Sequence, residues 1–107
     1  MRGVARIGDK TLGTCYHPSH SSPVPNMKGT IITGSGDMQD QSKPVARLDD
    51  CVLTDCGHRD YINSTSGTIT NDAGLAKKVA RLSDTVGRDG IYKASIITAS
   101  TVTFGDP

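Results

Sequence analysis

One six-residue phrase occurs three times in this chain, and nothing else constrains its fold as tightly. Val4-Ala5-Arg6-Ile7-Gly8-Asp9 returns as Val45-Ala46-Arg47-Leu48-Asp49-Asp50 and again as Val79-Ala80-Arg81-Leu82-Ser83-Asp84. The shared pattern is V-A-R-[IL]-x-D, with starts 41 and 34 residues apart. Self-similarity on this scale marks a repeated supersecondary unit that buries its apolar face only against its neighbours. A chain of 107 residues has room for one domain. We therefore expect a single domain over residues 1–107, with units of about 4–44, 45–78 and 79–107 packed on each other.

Composition says what the units are made of. All eleven acidic residues are Asp, Thr and Gly each occur twelve times, and there is one Phe and no Trp. Thr, Gly and Asp suit strands, turns and caps, whereas the good helix formers are scarce. The expected fold class is all-β, a small pseudo-threefold assembly of hairpins and strands. With 35% hydrophobic residues the core is thin, and a core this small needs a disulfide, a metal or a partner. A net charge of +1 argues against electrostatic capture of nucleic acid or anionic membrane. The sequence has no apolar run long enough for a spanning helix and no signal-peptide pattern at its start.

The copies also agree downstream. Ten residues past each repeat Ala stand Cys15, Cys56 and Gly90, and twelve past stand His17, His58 and Tyr92. Each copy then holds a β-type run: Gly29–Thr33, Gly67–Thr70 and Ser95–Thr98. Ile31, Ile32, Ile69, Ile96 and Ile97 are the expected core, with Val4, Val45 and Val79 near the base. Residues 18–26 read as a loop rich in Ser and Pro. Asp72–Leu82 carries the signature of a capped amphipathic helix. Its end, however, overlays Pro44-Val45-Ala46-Arg47, where Pro44 disfavours a helix interior, so the repeat is given precedence. The Arg and Asp of each phrase lie three apart and are expected to close a turn.

Cysteine and histidine supply the chemistry. Residues i and i+2 of a strand face one side, so Cys15 with His17, and Cys56 with His58, can point together. Two such pairs converging describe a closed tetrahedral zinc site, and His20 adds a third imidazole. Cys15, His17, His20, Cys56 and His58 are thus five candidates for four positions. Cys51, whose counterparts are Lys10 and Thr85, reads as a packed thiol. A Cys15–Cys56 disulfide and a Cys–His nucleophile are the competing readings, the latter without an orienting acid or an oxyanion loop.

Together these features resemble the PAAR-repeat family. Pro44-Val45-Ala46-Arg47 is similar to its P-A-A-R signature, Gly8-Asp9 to the G-D that follows it, and Gly29–Ser35 to its GTIITGS-like run. The likeness covers Val4 to Phe104, with Asp49-Asp50 and Ser83-Asp84 replacing G-D in the later copies. The resemblance implies a small conical protein that caps and sharpens a trimeric β-helical spike, one tip per trimer, in a contractile phage tail or a type VI secretion system. The partner would be a VgrG-like or phage central spike, with transient contact with the target envelope. It implies one structural zinc ion held by three His and one Cys: His17, His20, His58 and Cys56, with Cys15 as a competing thiolate. It implies no enzymatic activity, no nucleic acid and no small-molecule substrate. The place of action would be the virion tail tip, or the bacterial cytoplasm and then the injection apparatus. With Pro107 as its last residue, the chain is expected to be a bare tip or an adaptor for separate cargo. A zinc-ribbon-like module binding nucleic acid or protein is the alternative.

Overall fold

The Arg and Asp of each phrase do close a turn, and the three turns are copies of one another. Asp9 accepts the Arg6 backbone N–H at 2.8 Å and takes the guanidinium through both carboxylate oxygens, at 3.0 and 3.2 Å. Asp50 holds Arg47 in the same way at 2.6, 3.0 and 3.1 Å, and Asp84 holds Arg81 at 2.8, 2.9 and 3.0 Å. These bidentate pairs are largely removed from water, and the carboxylate satisfies backbone and side chain together. The residue before each Asp has a left-handed backbone, with φ of 92° at Gly8, 68° at Asp49 and 71° at Ser83.

In the computed structural model, residues 2–34, 39–40, 43–64, 70–71, 77–99 and 104–105 are described. Among them there is no helix. The strands, in chain order, are β1 (Arg2–Gly3), β2 (Lys10–Cys15), β3 (Val24–Ile31), β4 (Gln39–Asp40), β5 (Lys43–Pro44) and β6 (Cys51–Thr54). There follow β7 (Arg59–Tyr61), β8 (Thr70–Asn71), β9 (Lys77–Lys78), β10 (Thr85–Val86), β11 (Tyr92–Ile96) and β12 (Phe104–Gly105).

The three Val-Ala-Arg segments form a closed ring of hydrogen bonds. The N–H of Ala5 donates to the Ala80 carbonyl at 3.0 Å, that of Ala80 to Ala46 at 2.9 Å, and that of Ala46 back to Ala5 at 2.8 Å. Bridges Val4–Arg81, Arg6–Val45 and Arg47–Val79 repeat the same cycle. The cycle, with the three matching turns, relates the segments by a pseudo-threefold axis through the ring. Val4, Val45 and Val79 form a buried cluster on it, separate from the main core. A second cycle locks the units side to side. Thr33, Ser64 and Thr98 each donate a hydroxyl to the Asp of the next unit, Asp50, Asp84 and Asp9, at 2.9, 3.1 and 2.9 Å. Each hydroxyl also accepts the backbone N–H that follows that Asp, from Cys51, Thr85 and Lys10.

Beyond the ring each unit sends out one hairpin: β2–β3, β6–β7 and β10–β11. The hairpins join edge to edge in the order β10-β11-β2-β3-β6-β7, and an Ile62–Val86 bridge links the outer edges. The result is a small, nearly closed barrel, which leaves little unpaired edge. Asp60 seals the seam. Its carboxylate is fully buried and accepts four backbone N–H groups, from Tyr61, Asp89, Ile91 and Tyr92, at 2.7–2.9 Å. On the other side of the ring three short antiparallel pairs, β4–β5, β8–β9 and β1–β12, lead into the phrases. The third pairs the two ends of the chain, so the last unit closes on the first.

The core is built from one Ile per unit, Ile31, Ile62 and Ile96, with Val52, Val86, Ala5, Ala46, Ala80, Cys15 and Tyr92. Complete burial of each large side chain contributes about 1.5–3 kcal/mol. Tyr92 fills the centre, its hydroxyl donating to the Met27 carbonyl and lying 2.8 Å from Thr11 Oγ1. Gly29 leaves room for it, since a Cβ there would meet the Tyr92 ring at 3.1 Å and Thr11 Oγ1 at 2.7 Å.

The expected core needs amendment at Ile32 and Ile97. Among the described residues the second unit contributes Ile62 to the core, following an early turn at Asp55–Gly57; the expected Ile69, with residues 65–68, lies outside the described residues. Ile32 is only half-buried and Ile97 is exposed, each standing one residue past the core Ile and facing outward. The competing helix over Asp72–Leu82 is also resolved where it can be seen. Lys77–Lys78 is strand and Val79–Leu82 enters the ring, while residues 72–76 lie outside the described residues.

Candidate metal centre

The hairpin ends far from the ring carry the Cys and His residues. β2 shifts register against β3 between Gly13 and Cys15. A bulge of this kind re-aims the side chain that follows it, and Cys15 ends fully buried beneath the loop over residues 16–23. That loop folds back through a His20 N–H to His17 carbonyl bond of 3.0 Å, bringing His20 over Cys15. In the second unit a tight turn, with Gly57 at φ 90°, places Cys56 and His58 together. Thr54 braces it: its hydroxyl accepts the His58 N–H at 2.9 Å, donates to the His58 carbonyl at 3.1 Å and lies 3.1 Å from Cys56 Sγ.

Four ligand atoms converge. One from each of Cys15, His20, Cys56 and His58 lie within 4.8 Å of one another, two from each unit. Cys15 Sγ and Cys56 Sγ are 3.7 Å apart, and His58 Nδ1 lies 3.4 Å from the first and 3.2 Å from the second. A tetrahedral ion with bonds of about 2.3 Å to sulfur and about 2.0 Å to nitrogen spaces its ligands about 3.8 Å for S···S and about 3.5 Å for S···N. The three separations among Cys15, Cys56 and His58 match that spacing to within a few tenths of an ångström, and the ligand atom of His20 lies within 4.8 Å of all of them. An S···S distance of 3.7 Å is too long for a disulfide, and all three cysteines are free. His20 Nε2 is buried and has no hydrogen-bond partner among the described residues. A buried nitrogen lone pair or N–H without a partner is costly, and an ion at the centre of the cluster supplies one. The residues present therefore fit a bound metal ion.

The sequence candidates divide as follows. Cys15, His20, Cys56 and His58 stand in the cluster. His17 stands beside it, its ring stacked on that of His58 at 3.7 Å and 5°. Its Nδ1 accepts the Ser19 backbone N–H at 3.0 Å and lies 2.9 Å from Ser19 Oγ. His20 meets His58 edge-on, at 5.1 Å and 81°. Cys51 is at the other end of β6, buried beside Asp50 and Tyr61. Sequence reasoning passed over Ser19 and Thr54. The only signal for them was their place within and beside the two Cys–His loops.

At this site protons compete with a metal for the Cys15 sulfur. Burial raises the Cys15 thiol above its ordinary pKa, and Cys56 Sγ adds to the rise while the His17 backbone opposes it. Burial, then the charges of His17 and His20, lower His58, keeping the imidazole neutral and its lone pair free. Metal binding then has to release thiol protons, and affinity rises with pH. Neither the models of known protein families nor the curated proteins provide a match to this chain.

Proposed function

We propose that this chain is a zinc-stabilised tip of the PAAR type. It would seat on the blunt, threefold end of a trimeric β-helical spike and sharpen it for penetration of a target envelope. The observation that carries the reading is the closed Ala5–Ala80–Ala46 hydrogen-bond ring. One chain that repeats its own backbone three times about an axis matches a shaft of three identical chains, one tip per trimer. In this reading the short strand pairs on the base side of the ring would continue the spike's strands by edge addition. At the opposite end the symmetry breaks, and the Cys15–His20–Cys56–His58 cluster ties the first two hairpins together. In the third, Gly90 and Tyr92 take the places of the Cys and His.

Zinc suits the site because two thiolates and two imidazoles in a tetrahedron are its usual structural set. Bound there, it would cross-link two loops that have few apolar neighbours of their own. Structural zinc in small peptides contributes on the order of 10 kcal/mol, enough to hold a narrow point without a core. Puncture by a rigid point requires no turnover, so the reading assigns no catalytic residue.

The test has two parts. Elemental analysis of the purified chain should find about one zinc per chain, and His58→Ala should lower metal content and melting temperature together. Mixed with blunt trimeric spike proteins, phage or VgrG-like, the chain should form a complex of one tip to three spike chains. Salt-sensitive binding to DNA or RNA, with no spike complex, would instead favour the zinc-ribbon alternative.

A further inference from the structure

His17 stands close enough to the cluster to be taken for a ligand, yet its geometry assigns it another task. An imidazole binds a metal in the plane of its ring, along the nitrogen lone pair. His17 lies parallel to His58, one ring thickness away at 3.7 Å. Two parallel rings so stacked aim their lone pairs along separate planes, so they do not converge on one ion. His20, at 81° to His58, has no such conflict. The Nδ1 of His17 is moreover already committed as acceptor to the Ser19 backbone N–H. Its proton is therefore on Nε2.

The proton positions then follow around the group. Ser19 Oγ lies 2.9 Å from His17 Nδ1 and 3.2 Å from His58 Nε2. His17 Nδ1 can only accept, so the Ser19 hydroxyl donates to it, sharing that lone pair with the Ser19 N–H. The hydroxyl oxygen is left to accept the His58 Nε2–H. That fixes His58 as the Nε2–H tautomer, and its Nδ1 lone pair faces Cys15 and Cys56 Sγ at 3.4 and 3.2 Å. We infer that Ser19 and His17 are positioning residues, a hydroxyl–imidazole relay that selects the tautomer and holds the ring angle of His58 for metal binding, while the metal itself is held by Cys15, Cys56, His20 Nε2 and His58 Nδ1. The inference rests on the metal reading above and deepens it. Outer-shell partners of this kind fix ring orientation and raise the basicity of the ligating nitrogen.

The experiment uses the full chain with zinc alone, titrated against a competing chelator, and nitrogen-15 imidazole correlations of metal-free and zinc-loaded protein. Ser19→Ala should weaken zinc binding by about ten- to hundredfold while leaving one ion per chain, and Ser19→Thr should restore it. His17→Gln, which keeps an acceptor for the Ser19 hydroxyl, should bind more tightly than His17→Ala. In metal-free wild type His58 should be the Nε2–H tautomer, and in Ser19→Ala a mixture of tautomers. In the zinc form, coordination shifts should fall on His58 Nδ1 and His20 Nε2, with none on His17. Wild-type affinity in Ser19→Ala, or a coordination shift on His17, would overturn the inference. A chain that takes up no zinc would defeat the metal reading, and the metal-free tautomer of His58 would still decide the relay.

Discussion

At the scale of single residues, the left-handed position before each repeat Asp shows how the three copies have diverged. Gly8 adopts its φ of 92° at no steric cost, whereas Ser83 adopts 71° with a Cβ in place. Asp49, at 68°, is partly offset by the 3.4 Å contact of its carboxylate with Arg88. Ser83 is exposed, and its side chain makes no hydrogen bond among the described residues. Ser83→Gly should therefore stabilise the chain, by about 1 kcal/mol once the added freedom of the unfolded chain is counted. The denaturant midpoint measures it, and a lower midpoint would mean that backbone strain is not the governing term. These positions also show what a sequence makes legible. Arg and Asp three apart interact locally, so their turn could be read directly. The sign of φ left its trace only in the first copy, where Gly occupies the place.

At the scale of elements, hairpin length is what the sequence concealed. The first unit runs to a long loop over residues 16–23, the second turns within Asp55–Gly57, and the third within Gly87–Gly90. Counting from the repeat aligned His17 with His58, but unequal loops break that equivalence: His58 enters the cluster and His17 stacks outside it. Whether Cys15, already one of the five candidates, joins the cluster was undecided for a related reason. A bulge decides which way it points, and no residue type announces a bulge at a Thr. The all-β class was legible because twelve Thr, twelve Gly and a lack of Glu leave little to build helices from.

The same unequal loops gather three imidazoles at the metal-binding end, which makes that end sensitive to pH. His58 is held neutral in the fold by burial and by its imidazole neighbours, so its folded pKa lies below the ordinary 6.5. The unfolded chain then binds more protons than the folded one, and stability falls as the pH drops through 6.5 and below. In the metal-free chain the melting temperature should decline on acidification from pH 7 to about 5, and less steeply in His17→Gln, which lacks one of the two neighbouring imidazoles. An unchanged melting temperature over that range would show that His58 does not titrate differently on unfolding.

At the scale of the whole molecule, the hydrogen-bond cycles have no natural beginning. β1 pairs with β12, Arg2 opposite Gly105 and Gly3 opposite Phe104, so the ends of the described chain already lie side by side. Thr98 of the last unit reaches Asp9 of the first just as Thr33 reaches Asp50. The covalent break between units three and one is therefore incidental to the fold. A circular permutant with the ends joined by a short linker and the chain reopened between Asp40 and Lys43 should fold to the same barrel. Its thermal midpoint should lie within a few degrees of the parent. Failure to fold, with the linker lengthened as a control, would mean that the N-terminal arm has to form first.

The ring of three alanines has one further consequence. A strand at the margin of an ordinary sheet can peel away, because its neighbour on one side is water. Here each alanine donates to one companion and accepts from another, and the chain of giving returns to its source. A blow delivered along the axis thus finds no weakest member to start with. Three alike supports share it, and withdrawing any one of them breaks two of the three bonds.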